Sequence, residues 1–313
     1  MKPTVYIDGK EGTTGLQIYD RLTGRDDLEL LLIEDAKRKD IMERKKLLNQ
    51  ADVAILCLPD AAAVEAAALI ENPNTRVIDA STAHRTASGW DYGFPELSSR
   101  HRQAVERSRR VANPGCHASG FIACVYPLVS RGLVPPSCPL TCFSLTGYSG
   151  GGKKMIAQYE APDREALLDS PRIYGLTLRH KHLPEMQKIC GLEIPPVFCP
   201  IVADYYKGMA ATVTLHSALL PGRPGAADIL EALAEHYAGQ KLVKVSEELG
   251  NDGPMLAGAA MAGRDSMVLT VCGHEDQIMV TALFDNLGKG ASGAAVENLN
   301  LMLGMEETTG LLA

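Results

Sequence analysis

Residues 4–15, TVYIDGKEGTTG, decide the fold class, because an apolar β-branched run leads there into a glycine-rich turn. The run Thr4–Ile7 predicts a strand, and apolar residues at helical spacing over Thr14–Thr23 predict a helix directly after the turn. A strand, a glycine turn and a helix in this order are typical of the first unit of a dinucleotide-binding sheet. On spacing alone, an ordinary glycine turn remains an equally open interpretation.

The glycines of this turn are spaced three residues apart, and each position suits a cofactor-binding role. Gly9 allows a tight turn, Gly12 allows a ligand to approach the backbone, and Gly15 allows the helix to pack on the strand. Thr13 and Thr14 open the helix, whose unpaired N–H groups can hold a pyrophosphate. We therefore predict that these five residues bind a dinucleotide.

Strand and helix signals continue to alternate as far as residue 115. Residues 53–58 (VAILCL) are continuously apolar, as expected of a strand that is buried on both faces. The other predicted elements are strands at 28–33, 76–79 and 110–112, a charged helix at 40–49 and an alanine-rich helix from 59–60 to about 70. This alternation predicts an α/β fold with a doubly wound parallel sheet, a Rossmann-type dinucleotide-binding domain.

The pattern changes abruptly at Cys116, where we place the domain break. One helix is predicted from Cys116 to about residue 131, and further helices near 184–190, 226–237 and 288–304. Period-2 runs predict strands at 141–146, 197–202, 210–216, 267–272 and 279–284. This second part is predicted to be an α+β domain with a largely antiparallel or mixed sheet.

The composition of the 313-residue chain excludes several classes of protein. Hydrophobic residues make up 46% and charged residues 22%, as in ordinary globular proteins. The net charge of −7 argues against a nucleic-acid partner, which usually meets a basic face. No apolar run approaches the ~20 residues that span a bilayer, and no secretory signal is recognisable. We expect a cytoplasmic protein with no membrane partner and with reduced thiols.

The end of the second predicted strand bears on the choice between NAD and NADP. Glu34 and Asp35 there favour a free ribose 2′-hydroxyl, whereas the cations Lys37, Arg38 and Lys39 favour a 2′-phosphate. Because three cations cluster, we predict NADP, bound in part by Lys37 and Arg38. A solvated charged loop remains the alternative.

Cys116 is the one cysteine of eight in a setting that suits a nucleophile. It follows Pro114 and Gly115 at the predicted start of a helix, where the helix dipole and free N–H groups favour a thiolate. The same N–H groups can hold an oxyanion on an attacked carbonyl. The alternatives are a buried structural cysteine or a metal ligand, although the chain has no C-x-x-C pair that would indicate zinc.

A thiolate nucleophile needs an acid/base partner, and residues 179–186 (RHKHLPEM) supply two histidines. If the stretch is extended, His180 and His182 point to the same side. A zinc site at this H-x-H pair is possible, but no third ligand lies at a recognisable spacing. His117 adjoins Cys116, but adjacent helical residues point about 100° apart and do not pair easily.

Two further stretches predict sites for anions. Residues 79–85 (DASTAHR) follow the fourth strand at the edge of the sheet where ligands bind, and Arg85 can hold an anion with its planar fork. Residues 146–154 (TGYSGGGKK) form a glycine-rich loop that ends in cations and can cradle a phosphate. The alternative for Arg85 is an exposed loop arginine, and the alternative for residues 146–154 is a hinge.

The ordered set of motifs resembles the short form of the N-acetyl-γ-glutamyl-phosphate reductase family of arginine biosynthesis, over essentially the whole chain. The motifs are GKEGTTG at 9–15, LCLPD at 56–60, DASTAHR at 79–85, YGFPE at 92–96, NPGC at 113–116, GYSGGGK at 147–153, HKHLPEM at 180–186 and DNLGKGASGAAVENLNLMLG at 285–304. The related aspartate-semialdehyde dehydrogenases share the architecture and the chemistry. One departure is His117, where many relatives carry tyrosine.

The resemblance implies a mechanism in which the thiolate of Cys116 attacks an acyl phosphate and the resulting thioester accepts hydride from NADPH. His180 is then the expected acid/base, with His182 second and nearer the phosphate. The family also implies further contacts: Ser149, Gly150 and Asn286 to the cofactor, and Ser81, Arg85, Asn113, Lys153 and Lys181 to the substrate. No metal is implied.

The resemblance also implies that the last helix returns to the cofactor domain. The expected domains are therefore an NADP-binding domain, 1–115 together with 286–313, and a semialdehyde dehydrogenase-like catalytic and dimerisation domain, 116–285. A homo-oligomer, dimer or tetramer, is expected. Three rival functions stay open: an aspartyl-phosphate reductase, a cofactor-free cysteine hydrolase or acyltransferase, and a non-catalytic dinucleotide sensor.

Overall fold

The computed structural model describes residues 2–246 and 255–313. The chain divides into two compact units, the first comprising Met1–Pro114 with Ala291–Leu311 and the second Gly115–Gly290 with Leu312–Ala313. Among the described residues, no helix has both the length and the apolar character that crossing a bilayer requires.

The described residues form thirteen strands and nine α-helices. The strands are β1 (Thr4–Asp8), β2 (Glu29–Leu31), β3 (Val53–Leu56), β4 (Arg76–Asp79), β5 (Asp91–Tyr92), β6 (Arg110–Ala112), β7 (Thr141–Gly147), β8 (Arg172–Ile173), β9 (Val197–Ala203), β10 (Met209–His216), β11 (Val243–Val245), β12 (Met267–Gly273) and β13 (Gln277–Phe284). The helices are α1 (Thr13–Leu22), α2 (Ile41–Gln50), α3 (Asp60–Ala68), α4 (Ser99–Arg107), α5 (Cys116–Ser130), α6 (Gly152–Tyr159), α7 (Leu183–Cys190), α8 (Ala226–His236) and α9 (Gly293–Met302).

The first unit is built on a six-stranded parallel sheet in the order β2-β1-β3-β4-β6-β5. Alternate residues of β1 face opposite sides of this sheet. Val5 and Ile7 belong to a core with residues of α1 and α9, whereas Tyr6 belongs to a core with residues of α2 and α3. Helices therefore cover both faces, and the predicted doubly wound parallel fold is confirmed.

Two predicted strands of this unit are shorter than the sequence suggested. The run 28–33 pairs only over Glu29–Leu31, because β2 is the edge strand and has a neighbour on one side alone. The apolar run 53–58 stops pairing after Leu56, so Cys57 lies just beyond β3 and not within a buried strand. Pro59, which follows closely, cannot donate to a ladder and instead caps α3.

The second unit is built on a seven-stranded mixed sheet in the order β11-β12-β13-β10-β7-β9-β8. Four of its pairings are antiparallel and two, β7 with β9 and β11 with β12, are parallel. Helix α5 lies directly on this sheet, because a Cβ at Gly120 would come within 2.5 Å of Ala211 and 2.8 Å of Phe284. The predicted α+β domain is confirmed.

The predicted helix at 288–304 is interrupted near its start. Gly288–Ser292 is a π-helical turn, in which the amide of Gly290 donates to the carbonyl of Asp285 at 3.0 Å, and α9 begins only at Gly293. Three glycines in six residues weaken the ordinary α-helix here, because glycine loses more conformational entropy than any other residue when it becomes helical.

Candidate active site

Cys116 is the first residue of α5, so the predicted helix start is confirmed. Gly115 is the N-cap residue and provides no side-chain cap to the helix. The amide of Gly115 itself is fixed, because it donates to the Oε1 of Glu185 at 2.8 Å. The side chain of Cys116 is partly exposed at this end of the helix.

The other cysteines provide a contrast with Cys116. All eight lie within the described residues and none forms a disulfide. Burial raises the pKa of the Cys57 thiol to about 12 and that of Cys124, two turns along α5, well above its usual value. Burial acts in the same direction on the thiols of Cys138, Cys142, Cys190 and Cys272. Such thiols stay protonated near neutral pH, and four of them serve as apolar core residues: Cys124, Cys138, Cys142 and Cys190.

Three imidazoles gather beside the start of α5 within the second unit. The ring centroid of His117 lies 5.7 Å from that of His180 and 5.8 Å from that of His182, and the latter two are 4.8 Å apart. Phe198 on β9 packs against His117 and His180 at 5.2 and 5.1 Å. The two histidines expected at the site therefore lie together, in company with a third.

His180 and His182 meet for a reason other than the one predicted. Residues 181–182 form a turn that leads into α7, so the assumption of an extended stretch is wrong. The amide of His182 donates to the Nδ1 of His180 at 3.2 Å, which holds the turn closed. Pro184 at the start of α7 favours this geometry, because its fixed φ suits the first helical turn.

The environment of His180 keeps its imidazole neutral near pH 7. Burial lowers its pKa, and the neighbouring cation of Lys181 lowers it further. A neutral imidazole can accept a proton from a thiol and afterwards donate it as an acid. Lys181 is exposed, whereas His182 is buried.

His117 has a site role that the sequence did not reveal. It is only 3% exposed, its Nδ1 lies 2.8 Å from the Oγ of Ser144 on β7, and its Nε2 lies 2.6 Å from the hydroxyl of Tyr174. Burial, helped by His180, lowers its pKa to about 3. No local signal identified Ser144 or Tyr174, because they lie 27 and 57 residues from His117 in the chain.

Glu185 was also missed, although the HKHLPEM motif contains it. It lies in the first turn of α7, is only 2% exposed and accepts the amide proton of Gly115. A buried carboxylate on the residue before Cys116 fixes the entry of the chain into α5. The signal available in the sequence was an acid in the first turn of a helix that follows the two histidines.

The glycine turn of the first unit fits a dinucleotide. Gly9 has a φ of +87°, which favours glycine, and a Cβ at Gly15 would overlap the carbonyl oxygen of Gly9 and lie 2.8 Å from the Cα of Lys10. Helix α1 begins at Thr13, with Thr14 next, and its N-cap Gly12 provides no side-chain cap. This uncapped helix end, reached without a Cβ in the way, suits a pyrophosphate.

The cations predicted to select NADP lie after β2. Lys37 ends a short 3-10 turn, is exposed and pairs with Glu34 at 3.2 Å, and Arg38 follows it. The sequence did not identify Arg44 on α2, which forms a bidentate ion pair with Asp8 at the end of β1. The Nη2 of Arg44 lies 2.7 Å from Oδ2 of Asp8, and its Nε lies 3.1 Å from Oδ1. This pair fixes the carboxyl end of β1, next to the glycine turn.

Ser149, Gly150 and Asn286, expected at the cofactor, all belong to the second unit. The amide of Asn286 donates to the Oγ of Ser149 at 3.0 Å and accepts from the N–H of Gly208 at 2.9 Å. Gly150 lies in the 3-10 turn Tyr148–Gly151, just before α6. Lys153, expected at the substrate, is exposed in the first turn of α6.

Ser81, Arg85 and Asn113, also expected at the substrate, lie at the carboxyl edge of the first sheet. Ser81 donates to the buried Asp79 at 2.7 Å, and the Nε of Arg85 donates to the carbonyl of Asn113 at 3.0 Å. The side chain of Asn113 donates to the carbonyl of Ala291 and accepts from Asn298.

These contacts give all three residues a structural role, and their role at the substrate stays a prediction. Among the described residues, no group of three or more metal-ligating side chains could hold a metal ion.

Two family models match the chain, one to each half. The "Semialdehyde dehydrogenase, NAD binding domain" matches residues 5–105, and the "Semialdehyde dehydrogenase, dimerisation domain" matches residues 116–286. The glycine turn therefore lies in the part that matches the cofactor domain, and Cys116 is the first residue that matches the second.

Solved structures with the same fold include aspartate semialdehyde dehydrogenase II from Vibrio cholerae, with a TM-score of 0.74 and 16% identity over 97% of this chain and 99% of that one. Aspartate semialdehyde dehydrogenase with NADP from Candida albicans has a TM-score of 0.70 and 15% identity over 97% and 99% of the two chains. At these identities the likeness concerns the fold alone.

Curated relatives match at much higher identity. N-acetyl-gamma-glutamyl-phosphate reductase 2 from Nostoc sp. is 47% identical over 99% of both chains. The reductase 2 of Pseudomonas putida is 46% identical over 98% of this chain and 99% of its own, and that of Brucella ovis, named without a number, is 48% identical over 97% and 100%. The resemblance inferred from the motifs is confirmed: the chain belongs to the N-acetyl-gamma-glutamyl-phosphate reductases of the semialdehyde dehydrogenase family.

Proposed function

We propose that this protein reduces N-acetyl-γ-glutamyl phosphate to N-acetylglutamate semialdehyde and phosphate with NADPH, as a step of arginine biosynthesis. The observation that carries the proposal is the partly exposed Cys116 as the first residue of α5, with the imidazole of His180 in the same unit. Full-length relatives at 46–48% identity carry the name of this reductase, which supports the choice of substrate.

In the first half of the reaction, His180 takes the proton of the Cys116 thiol. The thiolate attacks the acyl carbon, a C–S bond forms, and the C–O bond to phosphate breaks with its electron pair leaving on phosphate. The backbone N–H groups of the first turn of α5 are assigned to the oxyanion that forms on the way. The N–H of Gly115, held by the carboxylate of Glu185, keeps this turn in place for the acyl carbonyl of the substrate.

In the second half, the thioester on Cys116 is reduced to a thiohemiacetal. NADPH, when bound, supplies the hydride. His180 gives its proton to the oxygen that hydride transfer leaves negative. It takes that proton back as the carbonyl re-forms and the C–S bond breaks with its electron pair on sulfur, which releases the semialdehyde and regenerates the thiolate. His182, buried beside His180, is proposed to contact the phosphate.

We propose that residues 1–115 with 286–313 hold NADP, and that residues 116–285 carry catalysis. The pyrophosphate lies at Gly9, Gly12 and Gly15 with Thr13 and Thr14, and the 2′-phosphate at Lys37 and Arg38. Ser149, Gly150 and Asn286 of the second unit are also assigned to the cofactor. The substrate anions are assigned to Ser81, Arg85, Asn113, Lys153 and Lys181.

The test is an NADPH-oxidation assay with N-acetylglutamyl phosphate, repeated with NADH and with aspartyl phosphate. We expect activity with NADPH and N-acetylglutamyl phosphate. Cys116→Ser should lose this activity but still bind NADPH, as measured by fluorescence titration. Cys124→Ser, a change of a buried thiol on the same helix, is the matched control and keeps activity. Preference for aspartyl phosphate, or activity in Cys116→Ser, would contradict the proposal.

We further propose that the protein is cytoplasmic. We also propose that it is a homo-oligomer, which the match to a dimerisation domain supports. One face of β7 and β9 is covered, whereas Val197, 49% exposed, and the half-buried Phe143 and Ile201 lie on the other. We assign this apolar face to a second copy of the chain. In light scattering, Val197→Arg should lower the oligomer mass, whereas Val64→Arg on α3, where Val64 is 50% exposed, should not.

A further inference from the structure

His117 joins two hydroxyl groups from different parts of the second unit. Its Nδ1 lies 2.8 Å from the Oγ of Ser144 and its Nε2 lies 2.6 Å from the hydroxyl of Tyr174. Ser144 is fully buried on β7, and Tyr174 directly follows β8. The ring is thus a rigid bridge between the sheet and the segment that leads to His180.

The charge state of His117 makes this bridge directional. A neutral imidazole has one N–H and one bare nitrogen, so one of the two hydroxyls must donate to the ring and the other must accept from it. If Ser144 donates to Nδ1, the ring donates from Nε2 to the oxygen of Tyr174. The hydroxyl proton of Tyr174 is then available to another acceptor.

The negative charge that acts on Tyr174 is that of the Cys116 thiolate. Tyr174 keeps its proton, because burial and the negative charge of the Cys116 thiolate both raise its pKa. The ring of Tyr174 also lies 6.1 Å from that of His180. A protonated phenol in this place can donate to a thiolate or to an oxyanion on the carbon that the thiolate has attacked.

We propose that His117 is a positioning residue: through its bridge from Ser144, it holds the hydroxyl of Tyr174 as a hydrogen-bond donor toward the reacting centre at Cys116. His117 therefore assists its neighbour in the chain through Tyr174. The inference rests on the proposed function for its substrate.

The two amide substitutions of His117 separate its two contacts. In His117→Asn the amide reaches the place of Nδ1 and retains the bond to Ser144, whereas in His117→Gln it reaches the place of Nε2 and retains the bond to Tyr174. Both remove the ring and its packing, so they are matched in any general structural damage. We expect kcat to fall about tenfold in His117→Asn and less than threefold in His117→Gln, with little change of KM in either.

A double-mutant cycle adds a readout that structural damage would not move. Tyr174→Phe should lower kcat about as much as His117→Asn, and the double variant should be no more than about twofold worse than either, because one residue acts through the other. Independent losses that multiply, or equal losses in the Asn and Gln variants, would overturn the proposal.

A second readout does not need the substrate. The rate of alkylation of Cys116 by iodoacetamide at pH 7, followed by mass spectrometry, reports the thiolate that Tyr174 stabilises. We expect it to fall at least threefold in His117→Asn and Tyr174→Phe but not in His117→Gln. If wild type fails to reduce N-acetylglutamyl phosphate, the proposed function is wrong, and this rate alone then decides the role of His117.

Folding of each variant is checked by its thermal transition and by NADPH titration. If His117→Asn does not fold, Ser144→Ala replaces it. Without the Ser144 hydroxyl, the ring can carry its proton on Nδ1 and accept the hydroxyl proton of Tyr174 at Nε2, which turns that proton away from Cys116. At least a threefold loss of kcat and of alkylation rate in Ser144→Ala supports the proposal, and wild-type values of both overturn it.

Discussion

Two buried polar clusters, one in each unit, are built on opposite principles. In the Asp79 cluster (Asp79, Ser81 and His84), a carboxylate accepts from the N–H and Oγ of Ser81 and lies 2.6 Å from the Nδ1 of His84. In the His117 cluster (His117, Ser144 and Tyr174), a neutral imidazole lies between two hydroxyls. The first has an acceptor at its centre, and the second has a group that both donates and accepts.

The difference indicates what each cluster is for. An ionised carboxylate cannot donate, so it fixes every hydrogen around it in one direction and holds the loop that carries Arg85. A neutral imidazole that accepts from one hydroxyl and donates to the other leaves the proton of the second hydroxyl for a further acceptor, which suits a centre where negative charge develops. We therefore expect changes in the Asp79 cluster to affect stability and changes around His117 to affect rate.

The largest expected effect separates, by reaction rate, the two histidines that lie beside His117 from the histidine of the Asp79 cluster. His180→Asn should lower kcat by ~10²–10⁴-fold, as loss of a general acid/base does, and His182→Asn by less. His84→Asn, in the Asp79 cluster, should lower it less than tenfold. Steady-state kinetics of the three folded variants measures this, and a larger loss in His182→Asn than in His180→Asn would reverse the assignment of the acid/base.

The second effect concerns stability. Asp79→Asn puts an amide donor where Ser81 and His84 require an acceptor, so the free energy of unfolding should fall by about 3 kcal/mol. Asp91→Asn, a change of an exposed carboxylate, is the control and should stay within about 0.5 kcal/mol. Urea denaturation measures both. An Asp79→Asn variant of full stability with a low kcat would show that the Asp79 cluster takes part in chemistry.

The smallest effect is a pH dependence specific to His117. Its pKa is about 3 in the fold, against about 6.5 in the unfolded chain, so the unfolded state binds more protons between these values. Stability is therefore complete above pH 6.5 and is lost as the pH falls toward 3, by about 2 kcal/mol at pH 5. Unfolding free energies at pH 7.5 and 5 should show a smaller loss in His117→Gln, and identical losses would contradict a neutral buried imidazole.

What could be predicted from the sequence was local. The glycine turn at 9–15 and the helix start at Cys116 depend on a few adjacent residues, whose backbone preferences act over one turn of chain. The parallel sheet of the first unit also followed from local periodicity. The resemblance to the reductase family rested on motifs of the same kind.

What could not be predicted depends on tertiary structure. Ser144, Tyr174 and His117 come from a strand, a loop and a helix, and no spacing relates them. The two histidines of HKHLPEM come together through a turn, which an assumption of extended chain missed. The π-helical turn at 288–292 was taken for ordinary helix, because its residues differ from helix formers only in their glycines.

That turn has a consequence for protein engineering. A Cβ at Gly290 would lie 3.0 Å from the Cβ of Cys116, and the carbonyl of Asp285 and the ring of Phe284 close the space on the other sides at 3.1 and 3.2 Å. Even the smallest side chain at position 290 therefore requires these neighbours, the Cβ of Cys116 among them, to move by a few tenths of an ångström. A library that seeks new acyl substrates can vary residues around the site, but it should keep glycine at 290.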